Sequence, residues 1–420
     1  MIIRETLDNG IRVIGETIEQ VRSCAIGVWV GTGSVQEQAG EEGISHFIEH
    51  MLFKGTQRRS AQDIAAEMDC IGGNINAFTS KECTCYYVKV LDEHIDKAVD
   101  ILADIVQHSK LSPDDIAKEQ GVVAEEILMV QDTPEDLAHD RVSTLYYQDD
   151  PLGKPILGTE QSVRSFDRDK LASYMQRRYV APRIVISVAG KFDTAWMMEL
   201  LREKFADVPT GDAQPQPKNN APGGSRFEVV EKDIEQIHIC MALPGTSMDT
   251  PAQYPLYVLS NALGGSMSSR LFQRIREERG LAYAVYSYPS CYTSAGSFAL
   301  YAGTGERQAT EVVGLIMEEL REISKNGITE AEFVRCRDQL KGSYLLGQEG
   351  TSSRMNALGK TELLLNRQYN EEETLRRIES VTLEDILHLI PTVLDVANMS
   401  TVCVGRVNEQ EAQMRRLLEA

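Results

Sequence analysis

Apolar and polar positions alternate along residues 12–16, 25–31, 74–79 and 84–91, the period of half-buried strands, and then take a helical period over 92–107 and 112–130. The succession returns further along the chain. Residues 227–230 and 237–243 read as strands, 252–263 as a helix, 284–288 and 297–302 as strands, and 306–324 and 329–346 as helices. Ser112 to Asp115 and Thr329 to Glu332 both fit a helix-start box, with a hydroxyl cap and an acid three residues on. The run from Arg183 to Gly190 near the end of the first half is echoed by Met399 to Gly405 near the end of the second. The same plan written twice is the mark of an internal duplication. Between the copies, 208–225 holds four prolines, three glycines and almost no apolar residues, which is linker composition. The expected organisation is therefore a domain over 1–208, a linker over 209–225 and a related domain over 226–420, both α+β.

Length agrees with this, since 420 residues exceed what one hydrophobic core usually organises. No apolar run approaches the roughly 20 residues that cross a bilayer, and the N-terminus lacks a basic segment followed by an apolar signal core. A cytoplasmic protein without a membrane partner is expected. The eight cysteines show no C-x-x-C pair, which speaks against a thiolate metal site or a secreted disulfide framework. A net charge of −20 would repel nucleic acid, and neither glycine-rich segment (264–265, 303–305) has the spacing of a phosphate loop.

The chemistry concentrates in Gly43-Ile44-Ser45-His46-Phe47-Ile48-Glu49-His50-Met51-Leu52. On a helix, His46 and His50 at i and i+4 leave one face together and can share a metal, with Glu49 beside them. A catalytic zinc needs neutral imidazoles and a nearby carboxylate to take the proton of the attacking water. It also needs a third protein ligand. Glu119 and Glu126, seven apart on the helix expected at 112–130, reach nearly one face, whereas Glu125 is turned about 100° away. One of the pair can ligate while the other makes a supporting hydrogen bond. His139 is the next candidate ligand, and it more readily caps or hydrogen-bonds locally. Laying the second copy on the first puts Val258, Asn261 and Ala262 where His46, Glu49 and His50 stand, so that copy cannot hold zinc in this way.

With these residues in place, the chain resembles the insulinase/pitrilysin family, and in particular its compact branch, which includes mitochondrial processing peptidase. The resemblance spans nearly the whole length. It is carried by the run from Gly43 to Thr56, whose H-x-x-E-H order marks the inverzincins. Gly73 to Thr79, Val122 to Ile127, and Ser269 to Phe272 with Arg276 to Tyr283 carry it further. It implies that His46, His50 and Glu126 hold one Zn2+ per chain, that Glu49 is the general base, and that Glu119 is an accessory acid. It further implies that Arg276 and Tyr283 reach the substrate from the second domain. Asn76 and Ala77 would lie at the substrate backbone and Phe78 near a side-chain pocket, in an edge strand that binds extended peptide. The expected function is a zinc metalloendopeptidase cutting unstructured peptides or presequences, its two domains a clamshell around a chamber, the chain pairing as a homodimer. The rivals are a non-catalytic partner subunit, against which all ligands are kept, and a dedicated leader-peptide processor.

Overall fold

The alternating segments of the first half pair into one six-stranded sheet in the computed structural model, which describes residues 2–212, 224–407 and 410–419. Its strands are β1 (Ile2–Thr6), β2 (Arg12–Thr17), β3 (Ser23–Val30), β4 (Asn74–Thr79), β5 (Thr84–Leu91) and β6 (Ile184–Gly190), in the order β1-β2-β6-β3-β5-β4. A five-stranded sheet follows in the second half, from β7 (Arg226–Val230), β8 (Gln236–Pro244), β9 (Ala282–Cys291), β10 (Gly296–Gly305) and β11 (Ser400–Val404), in the order β7-β11-β8-β10-β9. Removing β1 makes the two orders identical. The pairing sense repeats as well: β2 with β6 and β7 with β11 are parallel, and every other neighbour is antiparallel. The duplication read from the sequence is thus a duplication of topology, and β4 and β9 are corresponding edge strands.

Alternation decides what each face of the first sheet meets. Ile26, Val28 and Val30 of β3 and Tyr86, Val88 and Val90 of β5 point to a core shared with helices Ile44–Leu52 and Ile95–His108. The opposite face carries Gly27, Trp29 and Ser187 and is covered by helix Thr351–Leu365, whose Met355 and Gly359 lie against Gly27 and Trp29. In the second sheet one face packs on helices Gln253–Leu263 and Ala309–Asn326, and helix Pro134–Tyr147 covers the other.

The compact units are accordingly not the two continuous halves. The first comprises residues 2–127, 154–212 and 346–369, and the second 128–153, 224–345, 370–407 and 410–419. Each half of the chain sends one helix to the other's sheet. The crossing happens in corresponding long helices, Pro113–Asp132 and Glu330–Gly347. A sheet with two faces needs cover on both, and amphipathicity shows that a helix has a face to bury without showing which sheet will bury it. Of the expected linker, residues 213–223 lie outside the described residues.

Element positions follow the sequence reading with small differences. The strand expected at 284–288 runs over Ala282–Cys291, because Pro289 sits in edge strand β9, where a missing N–H does not break a ladder. The helix expected from 92 begins at Ile95 after one 3-10 turn, Asp92–His94. The start box at Thr329 is formed, with Thr329 Oγ1 accepting from Glu332 N at 3.2 Å and Glu332 Oε2 accepting from Thr329 N at 2.8 Å. No helix among the described residues is long and apolar enough to cross a membrane.

Candidate metal centre

Helix Ile44–Leu52 divides its nine residues cleanly. Ile44, Phe47, Ile48, Met51 and Leu52 are buried in the first core, which turns His46, Glu49 and His50 to the other side. Its entry requires glycine: Gly43 has φ +88°, and a Cβ there would lie 2.4 Å from the carbonyl oxygen of Leu157. Gly43 has no side chain with which to cap the helix. The buried carboxylate of Glu37 does so instead, accepting from the backbone N–H of Gly43 at 2.8 Å and of Ser45 at 3.0 Å.

The two imidazoles stand 4.6 Å apart between ring centres, and their Nε2 atoms face the Glu126 carboxylate at 3.6 Å (His46) and 3.5 Å (His50). Among the described residues these three form the one group of His, Cys, Asp or Glu close enough to share an ion, with ligand atoms all within 4.8 Å of one another. Glu125 is exposed and takes no part, as the helix-face argument expects. The group fits zinc. With bonds of 2.0–2.1 Å and tetrahedral angles, neighbouring ligand atoms lie about 3.4 Å apart, close to the separations found and too long for good hydrogen bonds.

The two histidines differ in how readily they take a proton: His46 is held neutral, whereas the carboxylates around His50 favour its charged form in the metal-free site, so zinc would displace a proton there. Burial, and then the charge of His50, lower the pKa of His46 to about 4, so its imidazole is neutral at neutral pH. Burial opposes a charged His50, but its hydrogen bond to Glu119 and the carboxylates of Glu126, Glu119 and Glu49 outweigh it and raise that pKa. His50 Nδ1 donates to Glu119 Oε2 at 3.0 Å, which directs Nε2 towards Glu126. His46 differs, since its Nδ1 is buried without a hydrogen-bond partner. Glu49 is raised by burial, against a hydrogen bond from Thr79 Oγ1 of 2.5 Å, and the charge of Glu126 adds to the rise. A carboxylate lifted in this way is suited to accept and return a proton. Glu119 is nearly buried, yet its pKa is lowered, because the His50 and Lys54 hydrogen bonds exceed the cost of burial.

Beside this group runs β4, an edge of its sheet. Ile75 and Ala77 pack on the core under helix Ile44–Leu52, and Thr79 reaches Glu49 from that face. Asn76 Oδ1 accepts from Ala77 N at 2.8 Å, so a side chain occupies this backbone donor. Phe78 alternates to the other face, where it meets Trp29 edge-on at 5.6 Å and Tyr87 at 6.2 Å. In the second unit Arg276 and Tyr283 stand together. The Arg276 guanidinium lies 4.5 Å from the Tyr283 ring centre and 4.7 Å from that of Phe272, and Tyr283, on β9, is 78% exposed. The segment carrying Arg276, Phe272–Glu277, is π-helical, a form frequent at functional sites.

His139 has both ring nitrogens occupied within the second unit, Nε2 by Tyr286 at 2.9 Å and Nδ1 by Tyr288 at 2.6 Å, and belongs to no ligand group. Sequence reasoning missed Thr79, Lys54 and Glu37. Thr79 and Ala77 share a strand face, and Lys54 follows His50 by four residues, so both carried a periodic signal. Glu37 reaches the helix through a loop and carried none.

Residues 12–160 match the family model for insulinase, peptidase family M16, and residues 165–340 match that for the peptidase M16 inactive domain. The uncharacterized zinc protease YmxG of Bacillus subtilis is 44% identical over 392 residues, covering 92% of this chain and 94% of its own. An uncharacterized zinc protease of Mycobacterium leprae is 40% identical over 400 residues, covering 94% and 89%. Two solved structures share the fold. A peptidase M16 inactive domain from Pseudomonas fluorescens aligns with TM-score 0.90 at 20% identity over 96% of this chain and 98% of its own. A protease from Helicobacter pylori aligns with TM-score 0.88 at 23% identity over 96% and 99%.

Proposed function

The chain belongs to the insulinase family, peptidase family M16, and from that footing we propose that it is a zinc-dependent metalloendopeptidase acting on extended, unstructured peptides. The observation that carries this is the convergence of His46 Nε2, His50 Nε2 and a Glu126 oxygen, with Glu49 on the same helix face. Zinc held there supplies a Lewis acid that polarises the scissile carbonyl and acidifies water. The remaining steps belong to the chain. Glu49 takes the proton released as water attacks the carbonyl and returns it to the departing amine. Glu119 fixes the ring of His50 through Nδ1.

An extended peptide adds to the free edge of β4, where Asn76 yields the Ala77 N–H to the substrate backbone. Added strand residues alternate between faces, so every second side chain meets the Phe78 side of the sheet. Arg276 and Tyr283 are proposed as donors to the oxyanion, the second domain closing over the peptide. A homodimer in the cytoplasm, with one zinc per chain, completes the proposal.

Zinc analysis of purified protein, together with mass-spectrometric mapping of cuts in a mixed peptide set, tests it. One zinc per chain and internal cleavage abolished by Glu49→Gln are expected, with the variant still carrying its metal. Fully zinc-loaded protein that cuts no peptide would leave a non-catalytic family member.

A further inference from the structure

Resting on the reading that His46, His50 and Glu126 bind zinc, we propose that Lys54 is a positioning residue for the metal, acting through Glu119 on His50. Lys54 lies just beyond the helix that carries the histidines. Its Nζ donates to Glu119 Oε1 at 2.7 Å, while the other oxygen of that carboxylate accepts from His50 Nδ1 at 3.0 Å. The three side chains form a chain in which each end of the carboxylate has one assigned donor. Glu119 is only 5% exposed, so water is a poor substitute for either.

The anchor itself is rigid. Lys54 N–H bonds the carbonyl of Met51 at 3.1 Å, and Gly55 turns the chain at φ +119°. Thr56 Oγ1 is then fixed on buried Asp104 at 2.7 Å, and Arg59 on Asp104 at 2.7 Å and Asp100 at 2.6 Å. The Lys54 stem therefore starts from a fixed point and holds Glu119 in one rotamer. That rotamer keeps the proton of His50 on Nδ1 and leaves the Nε2 lone pair facing Glu126, 3.5 Å away. Without Lys54, Glu119 keeps one partner for two oxygens and is free to turn, and the orientation of His50 loosens with it.

A second view of the same lysine predicts the opposite result. As a bare cation near a divalent ion, Lys54 would repel zinc, and its removal would tighten binding. The sign of the change separates the two. Zinc affinity should be measured by chelator competition on wild-type, Lys54→Met and Lys54→Arg proteins, with the His50 tautomer read from 15N-edited NMR of the metal-free forms at a pH high enough that the ring carries a single proton. Positioning predicts that Lys54→Met binds zinc about 10–100-fold more weakly. It also predicts a mixed His50 tautomer in Lys54→Met, and an Arg variant, which keeps charge and donors, close to wild type. Lys54→Met binding zinc equally or more tightly, or an unchanged Nδ1–H tautomer, would overturn the inference. Wild-type protein that fails to bind zinc would instead overturn the function proposed above.

Discussion

Gly359→Ala adds one methyl group to a helix, and two physical effects give it opposite signs. By propensity alone, replacing a mid-helix glycine with alanine stabilises by roughly 1 kcal/mol. Packing says otherwise. A Cβ at Gly359 would lie 2.0 Å from Trp29 Nε1, 2.4 Å from Cε2 and 2.6 Å from Cδ1. Trp29 is fully buried, its ring held by Phe78 and its Nε1–H donating to Ser187 Oγ at 2.8 Å. To restore ordinary contact, the indole or the helix must shift by more than an ångström, which breaks that hydrogen bond. Overpacking costs about 1–3 kcal/mol. A buried N–H left unpaired costs about 1–3 kcal/mol more. Against the helix-propensity gain, the net is a destabilisation of about 3 kcal/mol. Both tryptophans of the chain, Trp29 and Trp196, lie in the first unit, so fluorescence during urea unfolding follows that unit. The measurement belongs on metal-free protein, where bound zinc does not add to stability. With a urea slope of roughly 2 kcal/mol/M, the midpoint should fall by about 1.5 M. A midpoint that stays put or rises would refute the reasoning that this helix is seated on Trp29.

Three further outcomes follow from the site. Glu126→Gln should lose zinc far more readily than Glu125→Gln, because only Glu126 faces the histidines; equal metal loss in a competition titration would reopen the choice of third ligand. Thr79→Val removes the hydrogen bond that holds the Glu49 pKa down, so that pKa rises further and the base is protonated earlier as pH falls. The acid limb of the kcat/KM profile should move to higher pH, and an unmoved limb would show that Glu49 does not set it. Tyr283→Phe and Arg276→Ala should keep full zinc while lowering kcat/KM by roughly 10- to 1000-fold, the scale of a lost oxyanion donor, and near-wild-type rates would remove both from the mechanism.

The strands and helices read from the sequence were legible because their period is written in the chain. Other amphipathic helices, among them Arg168–Arg178, Thr194–Lys204 and Leu383–Val393, were not read from it, and three further elements show where a period fails. β1, Ile2–Thr6, lies at a sheet edge largely open to solvent, so its residues do not alternate in burial and show no period. Helix Ala61–Cys70 is announced by its cap, Ser60 Oγ accepting from Asp63 N at 3.1 Å, but buries only Ile64 and Met68. Helix Thr351–Leu365 is the informative case. Its buried face is Thr351, Met355, Leu358, Gly359, Glu362 and Leu363, which no hydrophobic template would choose. The glycine is there for Trp29. The glutamate is there for Arg4 and Arg12, whose guanidinium nitrogens reach it at 2.8 Å and 3.0 Å. Its inward surface is complementary to one particular sheet, and complementarity between distant segments is not visible in a periodicity.

The grouping of His46, His50 and Glu126 was legible for the opposite reason, since shared ligation would require such residues at fixed helical spacings, and the second copy of the fold shows the same helices without them. Val258 and Ala262, at the positions of His46 and His50, are fully buried in the second core. Asn261, at the position of Glu49, donates from Nδ2 to the carbonyl of Cys336 at 3.3 Å. Aligning Ser112 with Thr329 puts Cys336 where Glu119 stands, so this bond links the same two helices that present the metal residues in the first unit. One helix pair therefore has two uses. With small and apolar residues it is ordinary core, closed by a side-chain amide. With His46, His50, Glu119 and Glu126 it becomes a polar cleft in which one imidazole nitrogen, His46 Nδ1, is buried without a partner. Such a cleft is a poorer way to hold two helices together than the packing in the second unit. Its retention in one copy beside its replacement in the other is what a site kept for chemistry would look like.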